Sequence, residues 1–269
     1  MYNSAMEIFG YVMAFVVGTM MGSFLNVVIL RINTGRSVAS GRSMCTRCSR
    51  TLMWYELIPV ASFLALRGKC RTCRTRISFQ YPVVELGTGL LFVLLYIAIP
   101  LVQGFTPFSW LTFIFMATIG AFLIVAAVYD VRHKILPDAV IYPFLLLSVF
   151  GVVVHATIDP HFDGLRALFD GVLVALPLFI LWLVSKGRVM GFGDVKLMLG
   201  IGWILGLSEG LAGLILSFWI GALFGLFLIA ISRGYGMKSE VPFGPFLIIG
   251  AIIAGLWQVG LSTLFPIFI

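Results

Sequence analysis

FSWLTFIFMATIGAFLIVAAVYD, residues 108–130, is a run of twenty-two uncharged residues closed by Asp130. A helix needs about 20 apolar residues to cross a bilayer, so this stretch reads as a membrane span with a carboxylate at its edge. Seven further apolar runs lie outward from it, at about 8–30, 83–103, 139–156, 167–185, 195–207, 210–231 and 244–266. The run at 195–207 is short and rich in glycine (Gly200, Gly202, Gly206), a pattern that in membrane proteins often borders a functional site. Composition agrees: of 269 residues 61% are hydrophobic and 11% charged, and mean hydropathy is +1.09. A soluble domain carries about 25% charged residues. The expected fold is an all-α polytopic membrane protein of about eight transmembrane helices.

Charge sets the expected orientation. Ten of the eighteen Lys and Arg lie between Arg31 and Arg76. The first run has Glu7 before it and Arg31 after it, so it reads as an uncleaved anchor with its N-terminus outside. Alternating the spans then puts 31–82, 130–138, 186–194 and 232–243 on the cytoplasmic side. These segments hold Arg132, Lys134, Lys186, Arg188, Arg233 and Lys238 as well. The opposite side keeps Arg166 against Glu7, Asp159, Asp163, Asp170 and Glu209. The net charge of +7 is thus accounted for by the positive-inside pattern and by anionic membrane lipids, and no nucleic acid is expected as a partner. The domain organisation follows: 1–30 the first helix, 31–82 a cytoplasmic cysteine-rich domain, 83–269 a seven-helix membrane domain. No solenoid-type repeat is evident.

All four cysteines fall in that polar segment: Cys45 and Cys48, then Cys70 and Cys73. Two C-x-x-C pairs joined by an intervening hairpin can offer four thiolates in a tetrahedron, the geometry of a closed structural Zn2+ site. Arg47, Lys69 and Arg71 beside them favour the thiolate form. A segment of about 50 residues has little core of its own, so a metal would supply the missing cohesion. A redox or disulfide pair is the competing explanation, disfavoured in a cytoplasmic loop.

Asp130 and Asp194, the latter in Gly191-Phe192-Gly193-Asp194, both fall at the cytoplasmic face by this topology. Ionisable groups at the edge of a span are costly and often functional. Two close carboxylates cannot both carry charge, so they share a proton. The ionised one then activates a water, and the protonated one polarises a carbonyl and protonates the leaving amine. Each also has a plain explanation: Asp130 opens a loop and Asp194 caps a helix. Asp138, after Pro137, reads as a helix cap. Gly191 and Gly193 would allow close backbone approach or a positive φ. Glu85 begins the second span and Glu56 follows Trp54-Tyr55. Both are candidates for substrate or cofactor contact, with helix-dipole stabilisation the alternative for Glu85. His133, His155 and His161 are too scattered for a metal site.

Taken together, Gly22-Ser23-Phe24-Leu25-Asn26, the two C-x-x-C pairs, Trp54-Tyr55-Glu56, Leu66-Arg67-Gly68-Lys69-Cys70, Tyr81-Pro82-Val83-Val84-Glu85, Asp130 and Gly191-Phe192-Gly193-Asp194-Val195-Lys196 resemble the bacterial type IV prepilin peptidases along nearly the whole chain. The resemblance implies cleavage of the basic leader of type IV prepilins or type II secretion pseudopilins at the cytoplasmic face of the inner membrane. It implies Asp130 and Asp194 as the catalytic pair and Cys45, Cys48, Cys70 and Cys73 as metal ligands. It further implies N-methylation of the new N-terminus from S-adenosylmethionine, an activity associated with members that carry the cysteine loop. Glu56, Glu85, Gly191, Gly193 and Lys196 are then substrate or methylation candidates. The chain departs from the family pattern at Thr46, where proline is common, at Asn33, at Phe192 and at Leu136, none of them a ligand or a carboxylate. No glycine-rich nucleotide motif marks the methyl-donor site. A basic leader facing a basic loop would seek headgroups or the acidic Glu56, Glu85, Asp138 and Glu240. A membrane thiol oxidoreductase and a metal-linked transporter are the alternative functions; the transporter would want its carboxylates near mid-membrane.

Overall fold

In the computed structural model, residues 4–35, 37–38, 40–99, 107–231 and 240–265 are described. Two compact units divide the chain, Met1–Val125 and Ala126–Ile269. Every regular element among the described residues is helical, and six helices are long and apolar enough to cross a membrane.

The first unit is built on α1 (Ser4–Arg31) and α3 (Gln80–Ala98). Gly18 and Gly22 lie one turn apart on α1, and α3 comes against both. A Cβ at Gly18 would stand 2.8 Å from the Gly89 Cα, and one at Gly22 would stand 2.7 Å from the Glu85 Cα. Small residues let helices approach this closely in lipid, where packing rather than hydrophobicity drives association. Asn26, fully buried, completes the pairing: its Nδ2 donates to the Tyr81 carbonyl at 3.2 Å and its Oδ1 accepts from Gln80 Nε2 at 3.1 Å. Beyond it, Tyr96, Phe92 and Phe113 pack edge to face at the other end of the pair. Between α1 and α3 lie a 3-10 turn (Trp54–Leu57) and the short α2 (Ala61–Ala65). α4 (Pro107–His133) begins in this unit.

The second unit holds the end of α4, α5 (Asp138–Ile158), α6 (Gly164–Ser185), α7 (Phe192–Ile231), α8 (Gly244–Leu256) and α9 (Leu261–Leu264). α7 is its centre. Glycines give each neighbour its seat: Gly200 for Phe144 of α5, Gly202 for Gly171 and Val174 of α6, and Gly213 for Gly250 and Ala251 of α8.

Among the described residues, which leave out 100–103 and 266 of the predicted runs, the apolar runs are recovered as helices with one difference. The runs at 195–207 and 210–231 are halves of α7, joined at Gly206, whose backbone (φ 75, ψ −179) is not helical. Only glycine adopts that conformation without strain. The last run, 244–266, is broken. α8 ends after 13 residues, Val259 N–H returns to the Ala254 carbonyl at 2.9 Å, and Gln258 takes the left-handed conformation (φ 51). This is a Schellman-type stop with glutamine where glycine is usual. The Leu261 N–H then donates to Ser208 Oγ of α7.

Candidate active site and metal centre

The two C-x-x-C segments are copies of one turn, displaced by 25 residues. Each is closed by an antiparallel bridge, Met44 with Thr51 and Lys69 with Arg76. In each the first cysteine N–H donates across the turn, Cys45 to Arg50 at 2.9 Å and Cys70 to Thr75 at 2.8 Å. In each the residue after the second cysteine is left-handed, Ser49 (φ 54) and Arg74 (φ 56). The turns aim backbone N–H groups at sulfur. Those of Cys73 and Thr72 hold the Cys70 thiol down to about 6, and those of Cys48 and Arg47 lower Cys45. Thr75 N–H also favours the Cys73 thiolate, but burial and the neighbouring thiols outweigh it and push Cys73 up to about 11.

The four sulfurs lie within 4.8 Å of one another, and Cys45 and Cys73 are 3.8 Å apart. Zn–S bonds of about 2.3 Å in a tetrahedron place sulfurs about 3.8 Å apart, so the donor set fits a closed four-thiolate metal centre. One buried atom adds to the fit. Arg50 is clamped by Glu56, Nη2 to Oε1 at 2.6 Å, and faces Cys70, yet its buried Nε–H has no acceptor among the described residues. An ionised Cys70, as metal ligation requires, would put a negative charge beside that guanidinium. Glu56 is buried. It also accepts the Met53 N–H at 2.8 Å, and the Arg50 guanidinium holds its carboxyl below the usual range.

Glu85 is buried too and accepts the Val60 N–H at 2.7 Å. Val60 (φ 59, ψ −51) is the centre of a γ-turn of the rare, strained hand, closed by Ala61 N–H to Pro59 O. A β-branched residue with positive φ persists only where its surroundings hold it; here the α3 carboxylate does so, with Ser23 as its other partner.

In the second unit the carboxylates come from two helix ends. Asp130 lies in the last turn of α4, where its carbonyl accepts the Lys134 N–H at 2.7 Å and Lys134 (φ 54) turns the chain out of the helix. Asp194 is the third residue of α7. It is not the cap: Gly191 holds that place, its N–H faces the Asp194 carboxylate, and its carbonyl accepts the Asp194 N–H at 3.3 Å, so only the carboxylate half of a capping box is present. Both aspartates are buried, and Asp130 is the charge that Asp194 meets across the site. Asp130 Oδ2 accepts the Gly244 N–H at 3.0 Å, at the start of α8.

The other candidates divide. Neither Gly191 nor Gly193 has a positive φ. Gly193 is needed for space, since a Cβ there would stand 2.8 Å from Leu136 Cβ, whereas one at Gly191 would meet nothing closer than 3.9 Å. Lys196 Nζ contacts Asp138 Oδ1 at 2.7 Å, the Tyr142 hydroxyl at 3.1 Å and the face of the Tyr142 ring. Asp138 thus joins α5 to α7 instead of capping α5, whose N-cap is Pro137. The four acids expected to meet a basic leader are all engaged: Glu56 by Arg50, Glu85 by Val60 N–H, Asp138 by Lys196 and Glu240 by Lys134. Sequence reasoning missed Arg50 and Gly244. Gly244-Pro245 before an apolar run was a helix-start signal, but nothing local ties it to Asp130, 114 residues away.

Comparison with known proteins gives this arrangement a lineage. Residues 16–99 match the bacterial peptidase A24 N-terminal domain, and residues 117–226 match the type IV leader peptidase family. A prepilin leader peptidase/N-methyltransferase of Bacillus subtilis is 33% identical over 243 residues, 90% of this chain and 92% of that protein. Proteins of the same name from Myxococcus xanthus (33% identical; 85% of this chain, 66% of that one) and Pseudomonas putida (32% identical; 91% and 90%) are also similar. No solved structure matches the chain. The matched regions carry the cysteine turns in one and both aspartates in the other, and the chain belongs to the type IV leader peptidase family.

Proposed function

We propose that this membrane enzyme cleaves the basic leader peptide of type IV prepilins, or of the related pseudopilins, at the cytoplasmic face of the inner membrane, using Asp130 and Asp194. The observation that carries the reading is the meeting of two buried carboxylates from different helix ends, each held by a backbone N–H at a helix start. The chemistry needs one carboxyl ionised and one protonated. The ionised group takes a proton from water as the oxygen adds to the scissile carbonyl. The protonated group hydrogen-bonds that carbonyl, then delivers its proton to the amine as the C–N bond breaks. Gly193 and Lys196 shape the start of α7 around Asp194. With its own acids engaged, the enzyme leaves the leader's cations to lipid headgroups and binds the substrate through its apolar helix.

The same chain N-methylates the newly exposed N-terminus. S-adenosylmethionine would supply the methyl group, its sulfonium carbon–sulfur bond breaking to a neutral thioether as the carbon–nitrogen bond forms and the amine gives up a proton. The four-cysteine unit, holding Zn2+ through Cys45, Cys48, Cys70 and Cys73, belongs to this second activity, with Glu56 and Glu85 keeping its turns in place. The four-way convergence of sulfurs supports a metal centre over paired redox cysteines, and carboxylates at helix ends do not support an ion path at mid-membrane.

The test is cleavage of a type IV prepilin by the reconstituted full-length enzyme, read by mass at the mature N-terminus. Asp130→Asn and Asp194→Asn should each abolish cleavage while the protein stays folded, and wild type with S-adenosylmethionine should add the mass of one methyl group. Normal cleavage by either variant makes that aspartate structural.

A further inference from the structure

We infer that Gly244 is a positioning residue for the reaction: its N–H orients the Asp130 carboxylate, and its missing side chain is what lets that carboxylate reach the start of α8. The inference deepens the peptidase reading and rests on it. α8 lies beyond residues 117–226, the span matched to the leader peptidase family.

Three observations support it. Gly244 N–H donates to Asp130 Oδ2 at 3.0 Å, and both residues are buried. Gly244 is the first residue of α8, so its N–H has no acceptor within that helix. A carboxylate accepting such a donor is also favoured by the helix dipole. Finally, a Cβ at Gly244 would stand 2.8 Å from Asp130 Oδ2 and 3.5 Å from Leu136 Cδ2. The first distance is one that real Cβ atoms do not show, so any other residue would displace the carboxylate. Leu136 also stands beside Gly193, so the same side chain borders both helix starts. One oxygen of Asp130 is thereby fixed and the other left to address water or substrate. Gly255, on the same helix, makes a useful contrast: a Cβ there would crowd only the flexible end of Leu205, at 2.7 Å, and touches no carboxylate.

Two readouts on the full-length enzyme in lipid nanodiscs test this. The first is the amide resonance of 15N-labelled glycine, with Gly244 assigned by its loss in Gly244→Ala. Asp130→Ala should shift the Gly244 amide proton upfield, more than any other glycine outside the last turn of α4. The second is steady-state cleavage of a type IV prepilin. Gly244→Ala should lower kcat by about 100-fold, the usual cost of an ångström-scale misplacement, with KM unchanged; Gly255→Ala should leave both unchanged. An unmoved Gly244 amide overturns the hydrogen bond, and with it the inference, whether or not the enzyme cuts. A moved amide with normal kcat in Gly244→Ala overturns the positioning role. If Gly244→Ala unfolds, labelling with 13C′-phenylalanine and 15N-glycine leaves only the amides of glycines that follow phenylalanine, Gly244 among them, and the absence of an upfield shift among these in Asp130→Ala overturns the inference. A responsive amide in a wild-type enzyme that cuts no prepilin supports the contact and overturns the peptidase reading instead.

Discussion

Glu56 shows how a residue can be legible as important while its role is hidden. Its place after Trp54-Tyr55 suggested contact with substrate or cofactor. The structure turns it inward, onto Arg50, which faces Cys70. That role could not be read from sequence, because it depends on the turn 44–51 bringing Arg50 back beneath the sulfurs. Outer-shell partners of metal ligands typically contribute 10- to 100-fold in metal affinity. Loaded with zinc, Glu56→Gln should therefore release the metal to a colorimetric chelator at about tenfold lower chelator strength than wild type, with all four cysteines still present. The difference should depend on pH in a defined direction. A carboxyl held below its ordinary pKa contributes stability above about pH 4.3 and loses it as pH falls through the folded value. Arg50 and Arg71 are the charges that face it. The gap between wild type and Glu56→Gln should hold from neutral pH to about 5 and close on further acidification. A gap that widened instead would mean Glu56 acts through something other than its charge on Arg50.

At the scale of elements, the apolar runs and their order were readable from span length alone, and the glycines showed where helices crowd. Sequence could not say which glycines matter, because that depends on what stands opposite. Gly22 and Gly87 make the point. A Cβ at Gly22 would meet the Glu85 Cα at 2.7 Å, a backbone atom that cannot swing aside, whereas one at Gly87 would meet nothing within 4 Å. Gly22→Ala should destabilise the α1–α3 pair by about 1–3 kcal/mol, the usual range for overpacking. Gly87→Ala, mid-helix and unobstructed, should stabilise by about 0.5–1 kcal/mol. Unfolding in mixed detergent micelles would compare them. Gly206 is different again: space is open around it, but its φ of 75 penalises any side chain. Hydropathy did divide α7 in two, but at 208–209, a few residues past the true break at Gly206, because both flanks of the kink are equally apolar.

For the whole molecule, the sequence offers one strong directional signal, the concentration of ten cations between Arg31 and Arg76. Anionic headgroups and the membrane potential would both favour the cytoplasmic side for such a segment. The proposed chemistry depends on that direction, since it requires the leader and both aspartates on the cytoplasmic side, where the expected topology puts residues 130–138 and 186–194. The helix order permits a direct check. The α5–α6 connection carries an exposed His161, and the α6–α7 connection carries an exposed Arg188, on opposite faces if α6 spans. The native thiols are expected inside and ligated, so they give little background. His161→Cys should react with a membrane-impermeant maleimide in intact inner-membrane spheroplasts, and Arg188→Cys should react only after permeabilisation. Labelling of both from outside would mean that α6 does not cross. The reversed pattern would put Asp130 and Asp194 on the outer face, where no leader waits, and the peptidase reading would fall with the orientation even though the fold stood.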